Sequence, residues 1–182
     1  MANMEAITNG HYRFDLAPSL LSKKILCPAY TPAPFKSEDR LLYLGLHAIA
    51  SLKVIARKLR LHHWLKSVER RGNGFRYDLE FEVPSGKNQL YEVKSAKNLK
   101  EVHKIQAALY WTEEHDEVIL SNGEEEIPLT TEYIQSVQHR AEETCKLLRN
   151  NPELAAATFK PNSEICYICS NLRCPFLQKK GS

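Results

Sequence analysis

Three cysteines close together near the carboxyl end of the chain are the residues whose spacing most directly indicates chemistry. Cys166, Cys169 and Cys174 follow the pattern C-x2-C-x4-C. Two intervening residues let neighbouring thiolates turn toward one ion or cluster, and four thiolates complete either a tetrahedral zinc site or an iron–sulfur cluster. Since the tail supplies three, the fourth must come from elsewhere in the chain.

Two other cysteines could complete the set, and helical periodicity separates them. Residues 131–150 carry side chains in steps of 3, 4, 4 and 3, the period of a buried helix face: Ile134, Val137, Ala141, Cys145 and Leu148. Cys145 is therefore expected in the core, where free cysteines usually lie. Cys27 precedes Pro28 in a proline-rich loop that can reach a distant ligand set, so we predict Cys27 as the fourth ligand. The alternative is that Cys27 is incidental and the other three form a partial site.

A predicted β-hairpin carries the second group of chemically useful side chains. Residues 75–83 alternate strictly between apolar and polar side chains, which is typical of a half-buried strand. Residues 90–95 form the predicted return strand, and residues 85–89 make a connection of five residues. The polar side chains of the two strands are therefore expected on a shared face.

The register of this hairpin decides which polar side chains meet. With the five-residue connection, Glu92 falls opposite Glu82 and Lys94 falls opposite Glu80. Asp78, Glu92 and Lys94 then share one face of the sheet. A slip of one residue would move Asp78 to the other face, and Glu80 or Glu82 would then take its place; we predict Asp78.

Two carboxylates and a lysine on one sheet face indicate phosphodiester hydrolysis. Carboxylate oxygens bind Mg²⁺ or Mn²⁺, the metal activates water and clamps a phosphate, and the lysine stabilises developing charge. The alternative is a solvated polar strand face held by cross-strand ion pairs. Because the pattern D…E-x-K is common by chance, its interpretation depends on the elements around it.

Two predicted helices add polar side chains beside this hairpin. Residues 37–60 have apolar side chains in steps of 3, 4, 4, 3 and 4, at Leu41, Leu44, Ala48, Leu52, Ile55 and Leu59. His47 lies beside that stripe, at the boundary between core and cleft. A second helix, over residues 99–111, places Gln106 and Tyr110 four positions apart on one face.

Taken in chain order, these motifs resemble the RecB-like branch of the PD-(D/E)XK nucleases. They are most similar to its short iron–sulfur members, the CRISPR-associated exonucleases that form the fourth family of Cas proteins. The similarity spans residues 27–174. The matching elements are Cys27-Pro28, Gly45-Leu46-His47, Asp78, the E-x-K of Glu92 and Lys94, the Q-x-x-x-Y of Gln106 and Tyr110, and the three C-terminal cysteines.

The resemblance implies a role for each matching residue. His47, Asp78, Glu92 and the carbonyl of Val93 would bind Mn²⁺ or Mg²⁺. Lys94 would be the catalytic lysine, and Gln106 and Tyr110 would position it or the DNA backbone. An iron–sulfur cluster, with 4Fe-4S preferred over 2Fe-2S, would be held by Cys27, Cys166, Cys169 and Cys174.

The expected fold is α/β, a restriction-endonuclease-like mixed sheet flanked by helices, with a helical cap stapled by the iron–sulfur cluster. Residues 1–180 would form a single RecB-like nuclease domain in which the cluster joins the segment around residues 20–36 to the tail at 160–178. The resemblance implies a metal-dependent 5′-to-3′ exonuclease for single-stranded DNA, with endonuclease activity as an option. It would act in CRISPR spacer acquisition with the CRISPR integrase complex as partner.

Two alternatives to this function stay open. A virus-encoded or repair-associated RecB-like nuclease would carry the same residues. A protein of another class, a non-catalytic DNA-binding module with zinc on its cysteines, would share the cysteine pattern and leave the acidic face idle.

The composition excludes several other classes of protein. Of the 182 residues 43% are hydrophobic, which argues against a disordered chain. The sequence has no apolar run near the ~18 residues of a membrane span and no secretory signal, so we expect a cytoplasmic protein without a membrane partner. Five cysteines, an odd number, argue against a disulfide framework. A net charge of +3 permits a nucleic-acid partner without indicating one.

Overall fold

The computed structural model describes residues 14, 16–34, 37–69 and 77–176 of the chain. Within them lie five helices: α1 (Pro18–Leu26), α2 (Ser37–Arg60), α3 (Glu101–Leu109), α4 (Thr131–Asn150) and α5 (Pro152–Ala157). The same residues form five strands: β1 (Trp64–Val68), β2 (Leu79–Glu82), β3 (Asn88–Val93), β4 (Glu117–Ser121) and β5 (Glu126–Leu129). A short 3₁₀ turn spans Cys166–Ile168.

The five strands form one mixed sheet in the order β1-β2-β3-β4-β5. Strands β1, β2 and β3 are antiparallel neighbours, β3 and β4 are parallel, and β4 and β5 are antiparallel. A parallel pair needs a crossover between its strands, and α3 provides it here. This arrangement confirms the predicted mixed sheet flanked by helices.

Helices cover both faces of the sheet. On one face α1, α3 and α4 pack on an apolar cluster that includes Leu90, Leu120 and Ile105. On the other face α2 contributes Ala50 and Val54 to a second cluster. Because helices bury the sheet on both faces, the central strands need apolar side chains on both sides, and their sequences are nearly continuous hydrophobic runs.

The last long helix agrees with its prediction. Helix α4 has the predicted bounds, and the hydroxyl of Thr130 caps it by accepting from the Tyr133 N–H at 3.2 Å. Val137 and Ala141 of the predicted stripe are fully buried, and Cys145 packs against the same apolar cluster. The two strands before this helix, β4 and β5, pair antiparallel.

Helix α2 is confirmed in extent, but the face that it buries is not the predicted one. The buried side chains are Ala50, Val54 and Lys58, whereas Leu41 is 75% exposed and Leu52 is 63% exposed. Apolar residues occur on both sides of this helix. The apolar periodicity therefore predicted the helix correctly. The stripe that it predicted to be buried lies on the outer face of the helix.

The predicted register of the acidic hairpin is wrong by four residues. Glu82 lies opposite Asn88 and Glu80 lies opposite Leu90. The chain turns earlier than expected, because the Gly86 N–H donates to the carbonyl of Val83 at 2.8 Å. Since four is an even number, every side chain keeps its predicted face.

The remaining differences concern the ends of elements. The predicted helix over residues 99–111 is present as the shorter α3, and α1 directly precedes the loop that begins with Cys27. The first part of the predicted strand, with Phe75 and Arg76, lies outside the described residues. No helix in the described part of the chain is both long enough and apolar enough to cross a membrane.

Two glycines provide a test of how α2 is held against the sheet. Gly123 and Gly86 have φ angles of +87° and +83°, a region that favours glycine. A β-carbon on Gly123 would lie 3.0 Å from the carbonyl oxygen of Ala50 in α2, while one on Gly86 meets no described atom within 4 Å.

We expect Gly123→Ala to destabilise the protein by about 2–3 kcal/mol, because backbone strain and a clash with α2 add together. Gly86→Ala is the matched control and should cost about 1 kcal/mol, since it introduces the strain alone. Urea denaturation of the two variants measures the difference. Equal losses would mean that Gly123 does not define the approach of α2.

Candidate functional site

Four of the five predicted catalytic residues meet at the end of β3: Asp78, Glu92, Lys94 and Gln106. Glu92 and Val93 are the last residues of this strand, and Lys94 follows it directly. The backbone N–H of Lys94 donates to the carbonyl of Ser121 at 2.7 Å, which extends the pairing with β4 past the end of β3. Around this point α2 supplies His47, and α3 supplies Gln106.

His47, Asp78 and Val93 form one connected group. His47 Nε2 lies 3.1 Å from the carbonyl oxygen of Val93 and 3.3 Å from Asp78 Oδ1. The other carboxylate oxygen of Asp78 accepts from the Val93 N–H at 2.7 Å. The hydrogen bond to Asp78 raises the pKa of His47, against the opposing effect of burial. The structure thus brings three of the predicted metal ligands into contact.

Glu92 and Lys94 form a buried pair beside this group. Glu92 is 2% exposed and Lys94 is 9% exposed. Lys94 Nζ donates to Glu92 Oε1, and Gln106 Nε2 donates to the same oxygen at 2.7 Å. Burial, followed by the nearby Asp78 carboxylate, raises the pKa of Glu92 to about 8. The hydrogen bonds and charges around Glu92 therefore do not fully stabilise its negative charge.

The second carboxylate oxygen of Glu92 indicates what could compensate it. Oε2 is buried, and no donor within the described residues reaches it. Buried acceptors are nearly always satisfied, so an atom of this kind suits a cation. The carboxylates of Asp78 and Glu92, the carbonyl of Val93 and the imidazole of His47 are donors of the type that Mn²⁺ and Mg²⁺ accept. The residues present fit a divalent ion.

The contacts of His47 bear on how a metal could bind at this site. Within the described residues no three His, Cys, Asp or Glu side chains already surround a single position. His47 Nε2 instead contacts the two oxygens of Asp78 and Val93. The imidazole must give up the proton on that nitrogen before it can bind a metal.

The two residues predicted on α3 have different surroundings. Gln106 reaches the site through its hydrogen bond to Glu92. Tyr110 follows the last residue of α3 and is buried in the apolar cluster that includes Leu109 and Ala141. A role for Tyr110 in positioning the lysine or the DNA stays a prediction.

Four of the five cysteines line one cavity. Its walls include Cys27, Cys166, Cys169 and Cys174, whereas Cys145 lies on α4. The chain segments that carry the four are joined directly. The Ser170 N–H donates to the carbonyl of Thr31 at 2.9 Å. The structure therefore places the four predicted cysteines around one cavity, although within the described residues no three of them already surround a single metal position.

Backbone donors point at two of these sulfurs. The Lys160 N–H lies 3.5 Å from Cys27 Sγ, and the Asn162 N–H lies 3.3 Å from Cys166 Sγ. The thiolate is the form of cysteine that binds metal. Four thiolates around one cavity fit either an iron–sulfur cluster or zinc.

No protein-family model, curated protein or solved structure matched this chain. The residues and their geometry are therefore the basis for assigning a function. The resemblance to the fourth family of Cas proteins likewise depends on the order of the motifs.

Three residues near the site were missed in the sequence. The ring of Tyr43 lies 6.0 Å from that of His47, one helical turn away, so helical spacing could have indicated it. Burial, and then the charge of Lys94, lowers the pKa of His103 to about 4 and also lowers the pKa of Lys23. These two come from α3 and α1, and only the tertiary structure places them near Lys94.

Proposed function

We propose that this protein is a metal-dependent deoxyribonuclease that cleaves single-stranded DNA. The observation that carries the proposal is the buried pair of Glu92 and Lys94, with Glu92 Oε2 left without a donor among the described residues. A buried lysine and an under-compensated carboxylate at a strand end are costly for stability, and such groups concentrate at functional sites. The neighbouring Asp78 and His47 supply the further ligands that a divalent ion needs.

Each residue has a distinct part in this proposal. The divalent ion, Mn²⁺ or Mg²⁺, would be held by His47, Asp78, Glu92 and the Val93 carbonyl. Such an ion lowers the pKa of a bound water molecule and neutralises phosphate charge. Burial favours the neutral form of Lys94, but the charge of Glu92, with Tyr43 and Asp78, outweighs this effect and raises the lysine pKa. The side chain is thus held as a cation where charge develops on the phosphate.

Gln106 has a supporting part. Its amide donates to the same oxygen of Glu92 that Lys94 contacts. Both donors lie on one oxygen, so the carboxylate is fixed with Oε2 directed away from them. Gln106 therefore orients the carboxylate of Glu92, the proposed metal ligand, without contacting the reacting atoms.

The four cysteines are proposed to hold an iron–sulfur cluster with a structural role. Their cavity lies between the segment that follows α1 and the chain beyond α5. A cluster there would tie these two segments together. Zinc is the competing occupant, and colour distinguishes them: an anaerobically purified brown protein supports iron–sulfur, whereas a colourless one supports zinc.

The biological setting that we propose is the trimming of new CRISPR spacer precursors, with the CRISPR integrase complex as partner and 5′-to-3′ polarity. Support for this setting comes from the ordered motifs from Cys27 to Cys174. A viral or repair-associated nuclease would use the same site chemistry, so this part of the proposal is separable from the cleavage activity.

Cleavage of end-labelled single- and double-stranded DNA tests the proposal. We expect degradation of the single strand with Mn²⁺ or Mg²⁺ and none with EDTA. Glu92→Gln, purified in the same way, controls for contaminating nucleases. Absence of cleavage with every divalent ion, in protein whose cysteine site is filled, would exclude the nuclease.

Asp78 and Glu80 allow a matched comparison of two carboxylates on one sheet face. Asp78→Asn should reduce metal-dependent cleavage by about 100-fold or more, because the change removes a charged ligand. Glu80→Gln should leave the rate near that of the wild type. Glu80 instead accepts from the hydroxyls of Tyr77 at 2.9 Å and Ser67 at 3.1 Å.

The Glu80 variant should be detectably less stable for the same reason. The substitution removes the charged acceptor of two hydroxyl groups, which lowers the free energy of unfolding by about 1–3 kcal/mol. Cleavage rates and urea midpoints of both variants make the comparison. A Glu80→Gln protein as inactive as Asp78→Asn would mean that the metal ligand has been assigned to the wrong carboxylate.

A further inference from the structure

The outer face of α2 is an unusually apolar surface. Seven large aliphatic side chains of this helix are between 46% and 75% exposed: Leu41, Leu42, Leu44, Leu46, Ile49, Leu52 and Leu59. These fractions correspond to roughly 700 Å², more than the largest apolar patch of a typical monomer, which is about 300–600 Å². Each partner in a protein–protein interface of standard size buries about 800 Å². The face is therefore slightly smaller than one side of an average interface, but it lies within the standard range of about 600–1,000 Å² per partner.

The spacing of residues along this face is suited to packing against a second helix. One stripe of exposed positions on α2 follows steps of 3, 4, 3, 4 and 3: Leu42, Gly45, Ile49, Leu52, Ala56 and Leu59. This is the heptad spacing of helices that pack along their length. The steps read the same in both directions. An antiparallel copy of the helix would place Leu42 beside Leu59, Gly45 beside Ala56 and Ile49 beside Leu52.

We propose that the protein forms a homodimer in which two α2 helices pack antiparallel across a two-fold axis. A two-fold interface must be self-complementary, and the symmetric spacing meets that requirement. The axis would pass near the middle of the helix, between Ile49 and Leu52.

The small residues of the stripe and the charges at its ends agree with this arrangement. A β-carbon on Gly45 meets no described atom within 4 Å, so a second helix can approach closely there. Asp39 near the start of α2 and Arg60 at its end are both exposed. Antiparallel packing brings Asp39 of one copy close to Arg60 of the other and opposes the two helix dipoles.

The proposed interface leaves the candidate active site accessible from its own side of the helix. His47 contacts Asp78 and Val93, whereas the apolar stripe lies on the opposite side of α2 from the buried Ala50 and Val54. A second copy would therefore cover the stripe without displacing the side chains of the site.

Light scattering after size-exclusion chromatography, over a concentration series of the full chain, tests the dimer. We expect the mass of two chains. Leu52→Glu should raise the dimer dissociation constant by about 100-fold or more, because it places unpaired carboxylates beside the axis. Leu154→Glu changes another exposed leucine, on α5, and should leave the dimer intact.

Gly45→Leu is a second test that does not depend on charge. The leucine has open space in a single chain and would clash with Ala56 of the other copy. It should therefore weaken the dimer while circular dichroism shows a folded protein. A monomer at every concentration, a stoichiometry other than two, or a dimer that survives both Leu52→Glu and Gly45→Leu would overturn the proposal.

Discussion

Lys94→Met should lower metal-dependent cleavage of single-stranded DNA by about 100- to 1000-fold, the loss typical of removing one group that stabilises transition-state charge. Lys94 lies beside the carboxylate that we assign to the metal, so its ammonium and a bound phosphate would share one small volume. Methionine keeps the length of the side chain and removes only the charge and its hydrogen bonds. Alanine would also open a cavity at a position that is 9% exposed.

The buried pair adds a second consequence to this variant. Without Lys94, Glu92 keeps the hydrogen bond from Gln106 but loses its nearest cation. The pKa of Glu92, already raised by burial and by Asp78, should rise further, which favours the neutral acid and weakens metal binding. Calorimetric titration with Mn²⁺ separates this effect from loss of the lysine itself.

Lys146→Met is the control for the charge change. Lys146 is exposed on α4, which packs against α1 and α3. Its variant should cleave at the wild-type rate. A fully active Lys94→Met protein would remove Lys94 from the catalytic assignment.

Cys27→Ser should lose most of the iron, while Cys145→Ser should retain it. A serine oxygen is a poor replacement for thiolate on a soft metal site, and Cys27 lines the cavity with the three C-terminal cysteines. The cluster would close a chain loop of well over a hundred residues. Losing that closure should cost about 3–5 kcal/mol, or a fall in Tm of about 10 °C.

Cys145 provides the matched control because it is a cysteine in a different environment. It packs against the cluster of apolar side chains below α4. Its replacement by serine buries a hydroxyl, at a cost of about 1–3 kcal/mol if that hydroxyl finds no acceptor. Iron and sulfide analysis of the two purified variants distinguishes them. Iron retained in Cys27→Ser and lost from Cys145→Ser would mean that the fourth ligand is Cys145.

The sequence predicts best those features that depend on local spacing. The bounds of α4 follow from its apolar period. Gln106 is predicted to position Lys94 or the DNA backbone, and the structure shows that its amide contacts Glu92. Asp78 and Glu92 keep a common face although the predicted register is wrong. The register error is four residues, an even number. A side chain moves to the other face of the sheet only when the register shifts by an odd number of residues.

Other features could not be read from local spacing. The turn after β2 is set by hydrogen bonds around Val83 and Gly86, so the strand alternation alone could not fix its length. Apolar residues encircle α2, so periodicity could not identify the side that meets the sheet. Lys23 comes from α1, far from Lys94 in the chain, and its place near the site depends on how α1 packs on α3.

The contact between the segment after α1 and the cysteine tail has a consequence for biogenesis. Cys27 leaves the ribosome early, whereas Cys174 leaves after all five strands of the sheet have been synthesised. Because chains fold progressively as they emerge, the sheet can assemble before its cysteine set is complete. Any ion or cluster that uses all four thiols must therefore be delivered to a chain that is already largely folded, and until then Cys27 remains a free thiol that can be oxidised.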